Sequence, residues 1–147
     1  MSGKTIFKRI LVGYDGSENS HRALVRAMDL ARQSRAQLRI AVVADTGRYT
    51  ATIGLESLYK EVDEKAEQNA RNLADAALEE ARQAGIDAFA SVETGHPADM
   101  ILSIAGENKS DLIVLGRRGM SGLERFLMGS ISTAVINHAK SDVLIVK

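Results

Sequence analysis

The sequence predicts an α/β fold: one domain, residues 1–147, on a doubly wound five-stranded parallel sheet in strand order 3-2-1-4-5. Three observations predict it. Five short apolar runs alternate with four stretches of helical period, the pattern of βα units joined by right-handed crossovers. Two strand ends, Gly13 to Ser17 and Gly116 to Gly119, are polar and glycine-rich. Ligands in open parallel sheets sit beyond the carboxyl ends of the strands, where the strand order reverses. If those two ends form one site, strands 1 and 4 are neighbours, which selects 3-2-1-4-5 over 2-1-3-4-5. The third run alternates apolar with polar residues, and the selected order places it at an edge, where such alternation belongs.

Strand 1 is expected within Lys8 to Tyr14, around Ile10-Leu11-Val12, stopping at Gly13-Tyr14-Asp15-Gly16. Ser17 is a good N-cap for the next helix, whose Ala23, Leu24, Ala27 and Ala31 recur at helical spacing. Gln37 to Ala44, with Leu38, Ile40, Val42 and Val43, predicts strand 2, which stops at Asp45. Residues 46–56 show no clear period, and a connection of that length in a compact domain is either functional or mobile.

A long surface helix follows from about Leu58. Leu58, Val62, Ala66, Ala70, Leu73, Ala77, Ala81 and Ala84 mark its inner face, and Gly85 is its C-cap. Ile86, Ala88, Ala90 and Val92 alternate with Asp87, Phe89, Ser91 and Glu93 to give strand 3. Pro97 suits the first position of a helix with Ile101, Ile104 and Ala105 inward. Leu112 to Leu115 is a buried strand ending at Gly116. Gly129-Ser130 opens an amphipathic helix with Ile131, Ala134 and Val135, and Ser141 to Lys147 is strand 5.

Composition bounds the function. Apolar residues make up 45% of the 147 positions, so the chain is globular rather than disordered. Lys+Arg and Asp+Glu are 19 each, which gives no overall field for nucleic acid or an anionic membrane. Cysteine is absent, so disulfides, thiolate zinc sites and cysteine nucleophiles are excluded. The apolar run after Lys8 is too short for a signal peptide, and none approaches membrane-spanning length. The expectation is a soluble cytoplasmic protein without membrane insertion.

The chemistry is concentrated between Asp111 and Ala134. Gly116 and Gly119, three apart, let the backbone bend and let a ligand approach bare N–H groups. The helix opening at Gly129-Ser130 points free N–H groups and a partial positive charge at the same place. Ser130 and Ser132 add hydroxyl donors; Arg117, Arg118 and Arg125 add charge. The whole is a cradle for phosphate. The plainer alternative is an ordinary strand-loop-helix passage with glycines for turn geometry alone.

Gly116-x2-Gly119-x9-Gly129-Ser130 resembles the G-2x-G-9x-G-(S/T) signature of the universal stress protein family, in its nucleotide-binding branch. The resemblance extends over nearly the whole chain, from Ile10-Leu-Val-Gly-Tyr-Asp15-Gly-Ser17 to Val143-Leu-Ile-Val-Lys147. It implies the same strand order, a Rossmann-like, adenine nucleotide alpha hydrolase-like sheet, and an adenine nucleotide with Mg²⁺ carried on its phosphates. The nucleotide-binding set it points to is Gly13, Tyr14, Asp15, Val43, Leu115, Gly116, Arg117, Arg118, Gly119, Met120, Ser121, Gly129, Ser130, Ile131 and Ser132. By resemblance Asp15 belongs in the nucleotide pocket, although on spacing alone it could equally cap the following helix. By resemblance Val43 lies against the adenine. Arg117 departs from the family, many of whose members carry a small residue there; it either narrows the pocket or adds a phosphate contact. Met120, Leu123, Phe126, Leu127 and Met128 read as packing.

Motifs for several enzymes are missing: there is no G-x-x-x-x-G-K-[ST], G-x-S-x-G or H-E-x-x-H. His21, His96 and His138 fall on separate segments and suggest no metal site. Glu124 is the one carboxylate in the 116–130 loop that could position a water. A binding site without evident catalytic groups suggests a regulatory switch rather than a fast catalyst, and the resemblance implies that the switch binds ATP and acts in stress response; no catalytic residues are assigned. The alternative is a slow ATPase or self-phosphorylating enzyme; a weaker third is another adenine nucleotide, such as a second messenger, in the same cleft. The continuous apolar run Val143 to Val146 at a sheet edge predicts a homodimer through the last strand, which the resemblance also implies. A regulatory partner is expected but not named.

Overall fold

The computed structural model describes residues 6–45, 55–117 and 128–147. The elements run β1 (Arg9–Gly13), α1 (Glu18–Ser34), β2 (Gln37–Ala44), α2 (Glu56–Gln83), β3 (Ala88–Thr94), α3 (Pro97–Asn108), β4 (Leu112–Gly116), α4 (Ser130–His138) and β5 (Asp142–Val146). The strands form one parallel sheet in the order β3-β2-β1-β4-β5. β1 is therefore central, with Ile10 opposite both Leu38 and Leu112.

Alternation along the strands divides the core in two. Ile10, Val12, Leu38, Ile40 and Val114 pack against α1 and α2; Leu11, Ala41, Ile113 and Leu115 pack against α3 and α4. This is the doubly wound arrangement: the chain winds outward through α1 and α2, crosses to the other side of β1 at α3, and winds outward again through α4. The reversal falls between β1 and β4.

Local chemistry explains the helix starts. Ser17 has extended backbone and its side-chain oxygen accepts the Ser20 N–H at 3.1 Å, as an N-cap should. Pro97 opens α3, where its missing N–H costs nothing. Gly85 follows the cap residue Ala84 with φ +79°, the left-handed conformation that ends α2.

α2 differs from expectation at its beginning. It starts at Glu56, and its buried residues are Ala70, Ala74, Ala77 and Ala81. Leu58, expected on the inner face, is 52% exposed, and Val62 and Ala66 are only half-buried. The reason is length. A helix of 28 residues spans about 42 Å, whereas the eight residues of β2 span about 27 Å. Its first turns reach beyond the carboxyl end of the sheet and have no strand to cover. Strand 3 likewise starts at Ala88 rather than Ile86, because Ile86 is still part of the turn out of α2, its N–H donating to Ala81 O at 3.1 Å. The expected connection at 46–56 lies outside the described residues except for Leu55 and Glu56. Among the described residues no helix is long and apolar enough to cross a membrane.

Candidate functional site

The carboxyl ends of β1 and β4, the reversal point of the sheet, carry Gly13, Tyr14, Asp15, Leu115, Gly116 and Arg117 of the expected set. Gly13 closes β1 and faces the α3–α4 side, where a Cβ would stand 2.6 Å from Leu115 Cδ2 and 3.2 Å from Ile101 Cδ1. Val43 near the end of β2, Leu115 in β4 and Ile131 in α4 belong to the same packed side. The structure thus brings Gly13, Val43, Leu115 and Ile131 to one face at one end of the sheet.

The Tyr14 side chain goes the other way and packs with the α1–α2 cluster. Its N–H donates to Ala41 O at 2.9 Å, extending the β1–β2 ladder by one bond. Burial raises the Tyr14 phenol above its ordinary value of 10.0, and the carboxylates of Glu80 and Asp15 raise it further. Glu80 itself lies 3.0 Å from His21 Nε2, joining α2 to α1.

Asp15 has a double position. Its Oδ1 accepts the Ser17 N–H at 2.9 Å, so one carboxylate oxygen fixes the turn into α1. Its own N–H donates to Ser20 Oγ at 3.2 Å. The half-buried carboxylate keeps a second oxygen at the end of β1. Ser20 was not anticipated. It is buried, and its hydroxyl also donates to Ser17 O at 3.0 Å, locking the β1–α1 turn. The signal was the Ser17-x-x-Ser20 spacing two residues after Asp15, which reads equally well as helix surface.

On the β4 side, Gly116 is glycine for the protein's own sake. A Cβ there would meet the Asn19 carbonyl, 2.6 Å from O and 2.7 Å from C. The close approach expected of a ligand at this residue is made by the first turn of α1. Arg117 is half-buried, and its N–H donates to Val146 O at 3.0 Å, tying β4 to β5. Its carbonyl accepts the Gly129 N–H at 3.0 Å, which brings the two ends of the intervening loop together. Ser132 is buried and its hydroxyl donates to Gly116 O at 3.0 Å, fastening α4 to the end of β4.

What this leaves open is the start of α4. Gly129 is its N-cap, with extended backbone and no side chain to cap the first turn. The amides of Ser130, Ile131 and Ser132 lack acceptors within a helix at these positions, and the Ser130 hydroxyl is exposed beside them. Three donors and the positive end of a helix dipole therefore stand next to the end of β4, which adjoins β1. Arg118, Gly119, Met120 and Ser121 of the expected set lie outside the described residues, as do Glu124, Arg125 and the apolar residues from Leu123 to Leu127. Among the described residues no group of three or more His, Cys, Asp or Glu side chains could hold a metal ion. His21 is on α1, His96 precedes α3 and His138 ends α4.

Comparison with known proteins agrees with this architecture. The model of the universal stress protein family matches residues 6–147. A Staphylococcus aureus (strain USA300) protein named as a universal stress protein is 34% identical over 143 residues, covering 96% of this chain and 84% of that protein. A universal stress protein solved in complex with cAMP superposes with a TM-score of 0.72 at 33% identity, covering 96% of this chain and 97% of the other. The fold also matches universal stress protein UspA from Lactobacillus plantarum, with a TM-score of 0.87 at 24% identity over 95% of this chain and 97% of that one. The chain belongs to the universal stress protein family.

Proposed function

We propose that this protein is a nucleotide-dependent regulatory switch of the stress response that binds ATP with Mg²⁺ between the ends of β1 and β4. The observation that carries the reading is the start of α4, to which no side-chain cap is given among the described residues, at the strand-order reversal and on the packed side shared by Gly13, Val43 and Leu115. Val43 would lie against the adenine. The free oxygen of Asp15 would take a ribose hydroxyl or a metal-bound water. The amides of Ser130, Ile131 and Ser132, with the Ser130 hydroxyl, would hold phosphate. Tyr14 would contribute through its backbone. Arg117, Arg118, Gly119, Met120 and Ser121 complete the proposed set.

Support from relatives is for an adenine nucleotide generally: the solved relative at 33% identity holds cAMP. ATP is preferred here because an uncapped helix start suits a terminal phosphate. No side-chain cluster among the described residues would fix Mg²⁺, so the metal would ride on the phosphates. The same reading sets the protein in the cytoplasm, as a homodimer through β5, and takes residues 1–147 as one domain.

Calorimetry with ATP, ADP and cAMP, each with and without Mg²⁺, tests the reading. Saturable binding of ATP that strengthens with Mg²⁺ is expected. Tighter binding of cAMP than of ATP would reassign the ligand to a second messenger, and no binding of any of the three would end the proposal. A slow ATPase or self-phosphorylating activity is the second reading. Ser130 favours it as an exposed hydroxyl at the proposed phosphate end.

A further inference from the structure

Gly13, Gly16, Gly85, Gly95 and Gly116 each have a reason to be glycine. Gly16, Gly85 and Gly95 have positive φ, and a Cβ at Gly13 or Gly116 would come within 2.6 Å of a neighbour. Gly106 has neither reason. It lies inside α3 in ordinary helical backbone, and a Cβ on it would meet nothing within 4 Å. Glycine is disfavoured against alanine within a helix. A residue that works against its own element without a packing reason marks a place where something else is required.

The space beside Gly106 is a cavity of about 420 Å³. It opens between the last turns of α3 and α4 and the starts of β4 and β5, at the opposite end of the sheet from Gly129. Leu102, Ala105 and Ile113 give it an apolar floor; Lys109 and Lys140 stand at its rim. Ile113 and Ala105 are buried and both lysines are exposed, so the wall is fixed and the charges are in water. Among the described residues no acidic side chain lines it. The volume falls within the roughly 300–1,000 Å³ of ordinary small-molecule sites.

We infer that this cavity is a second ligand site, separate from the nucleotide site, for a small amphiphilic anion with an apolar chain and one carboxylate-type head. The chain lies along Leu102, Ala105 and Ile113, and the head meets Lys109 and Lys140. Most of the affinity comes from apolar contact, because ion pairs with exposed lysines add little. The lysines set orientation and select anions over neutral molecules of the same shape. Gly106 keeps the mouth clear.

The test uses the full chain with decanoate as probe, followed by amide chemical shifts. Saturable shifts confined to residues 102–113 and 138–141 are expected. Gly106→Leu should abolish them while leaving the ATP titration unchanged and the melting temperature no lower, since leucine is the better helix former. Lys109→Glu with Lys140→Glu should weaken decanoate roughly five- to tenfold and leave decanol unaffected. Shifts scattered over the surface, or a Gly106→Leu protein that binds as well as wild type, would overturn the site. Equal binding of decanol and decanoate by wild type would overturn the anion assignment.

Discussion

The carbonyl of Asn19 occupies the place where Gly116 would carry a side chain, with 2.6 Å between an ideal Cβ and the oxygen. The start of α1 and the end of β4 are thereby packed backbone to backbone, across the reversal of the sheet. Gly116→Ala must push the first turn of α1 outward. Since the obstructing atoms are backbone, relief is expensive, and a loss of about 1–3 kcal/mol is expected. Urea denaturation measures it; an unchanged midpoint would mean that α1 moves freely. Because Asp15 is tied to that same turn through Ser17 and Ser20, nucleotide affinity should fall together with stability.

This contact shows where legibility in the sequence ended. The strand order was readable because two polar, glycine-rich strand ends needed a common site, and strand 3 showed edge alternation. The start of α1 at Ser17 was readable from one side chain. The reason for Gly116 was not, because its neighbour lies on another element and only the folded packing brings them together. The inner face of α2 was read correctly in direction but too far toward its start, at Leu58, because periodicity gives a face and not the place where the sheet stops. Of the proposed site, the sequence pointed to the end of β1 and the start of α4. It could not show that the Ser132 hydroxyl and the Gly129 N–H are engaged within the protein.

Gly129 makes the sharpest test of the nucleotide site. It is an N-cap with φ −63° and ψ 155°, a conformation open to any residue. Gly129→Asp should supply a side-chain cap from the N-cap position and place an anion at the helix start, leaving stability unchanged or raised by up to about 1 kcal/mol. The same carboxylate would sit where phosphate is proposed, so ATP binding should vanish. Gly129→Val should also block binding, through bulk. A folded Gly129→Asp protein with wild-type ATP affinity by calorimetry would remove α4 from the site.

Asp15 separates folding from binding. Asparagine at this position retains an oxygen for the Ser17 N–H, but loses the charge and replaces the second acceptor oxygen with an NH2 donor. Asp15→Asn should therefore melt like wild type and bind Mg·ATP about tenfold more weakly, a change near 1.4 kcal/mol. Asp15→Ala should lose the turn contact as well and be less stable. Hydrolysis by wild type should be absent or far below the enzyme median of about 10 per second. Turnover at ordinary rates, lost in Asp15→Ala, would favour the enzymatic reading instead.

Tyr14 gives the alkaline limit. Its phenol is raised above 10.0 by burial, then by Glu80 and Asp15. In the window between 10 and the raised folded value, the unfolded chain has lost this proton and the folded chain still holds it. The unfolded state then binds fewer protons, so stability falls as pH rises through that window and is fully present below it. Urea midpoints at pH 9 and pH 10.5 should drop more for wild type than for Tyr14→Phe. Equal drops would show that other groups control the alkaline transition.

The last prediction concerns assembly. β5 pairs with β4 on one side and ends the sheet on the other. Because Val146 O accepts the Arg117 N–H, the backbone groups of Leu144 and Val146 point toward β4, and those of Val143 and Ile145 point out from the edge. Val143, Leu144 and Ile145 are only half-buried. Val25 on α1 and Ile136 on α4, both helices that touch β5, are 38% and 41% exposed. An apolar strand whose outer ladder has no partner among the described residues, with exposed apolar neighbours, needs cover. A twofold dimer gives it, through antiparallel pairing of β5 with its copy. Ile145→Pro removes an outward N–H and leaves the bonds to β4 in place, so it should yield a folded monomer by light scattering. Leu144→Pro instead removes a donor facing β4 and should unfold the protein. A dimer that survives Ile145→Pro, or a wild type that is monomeric at micromolar concentration, would show that β5 is not the interface.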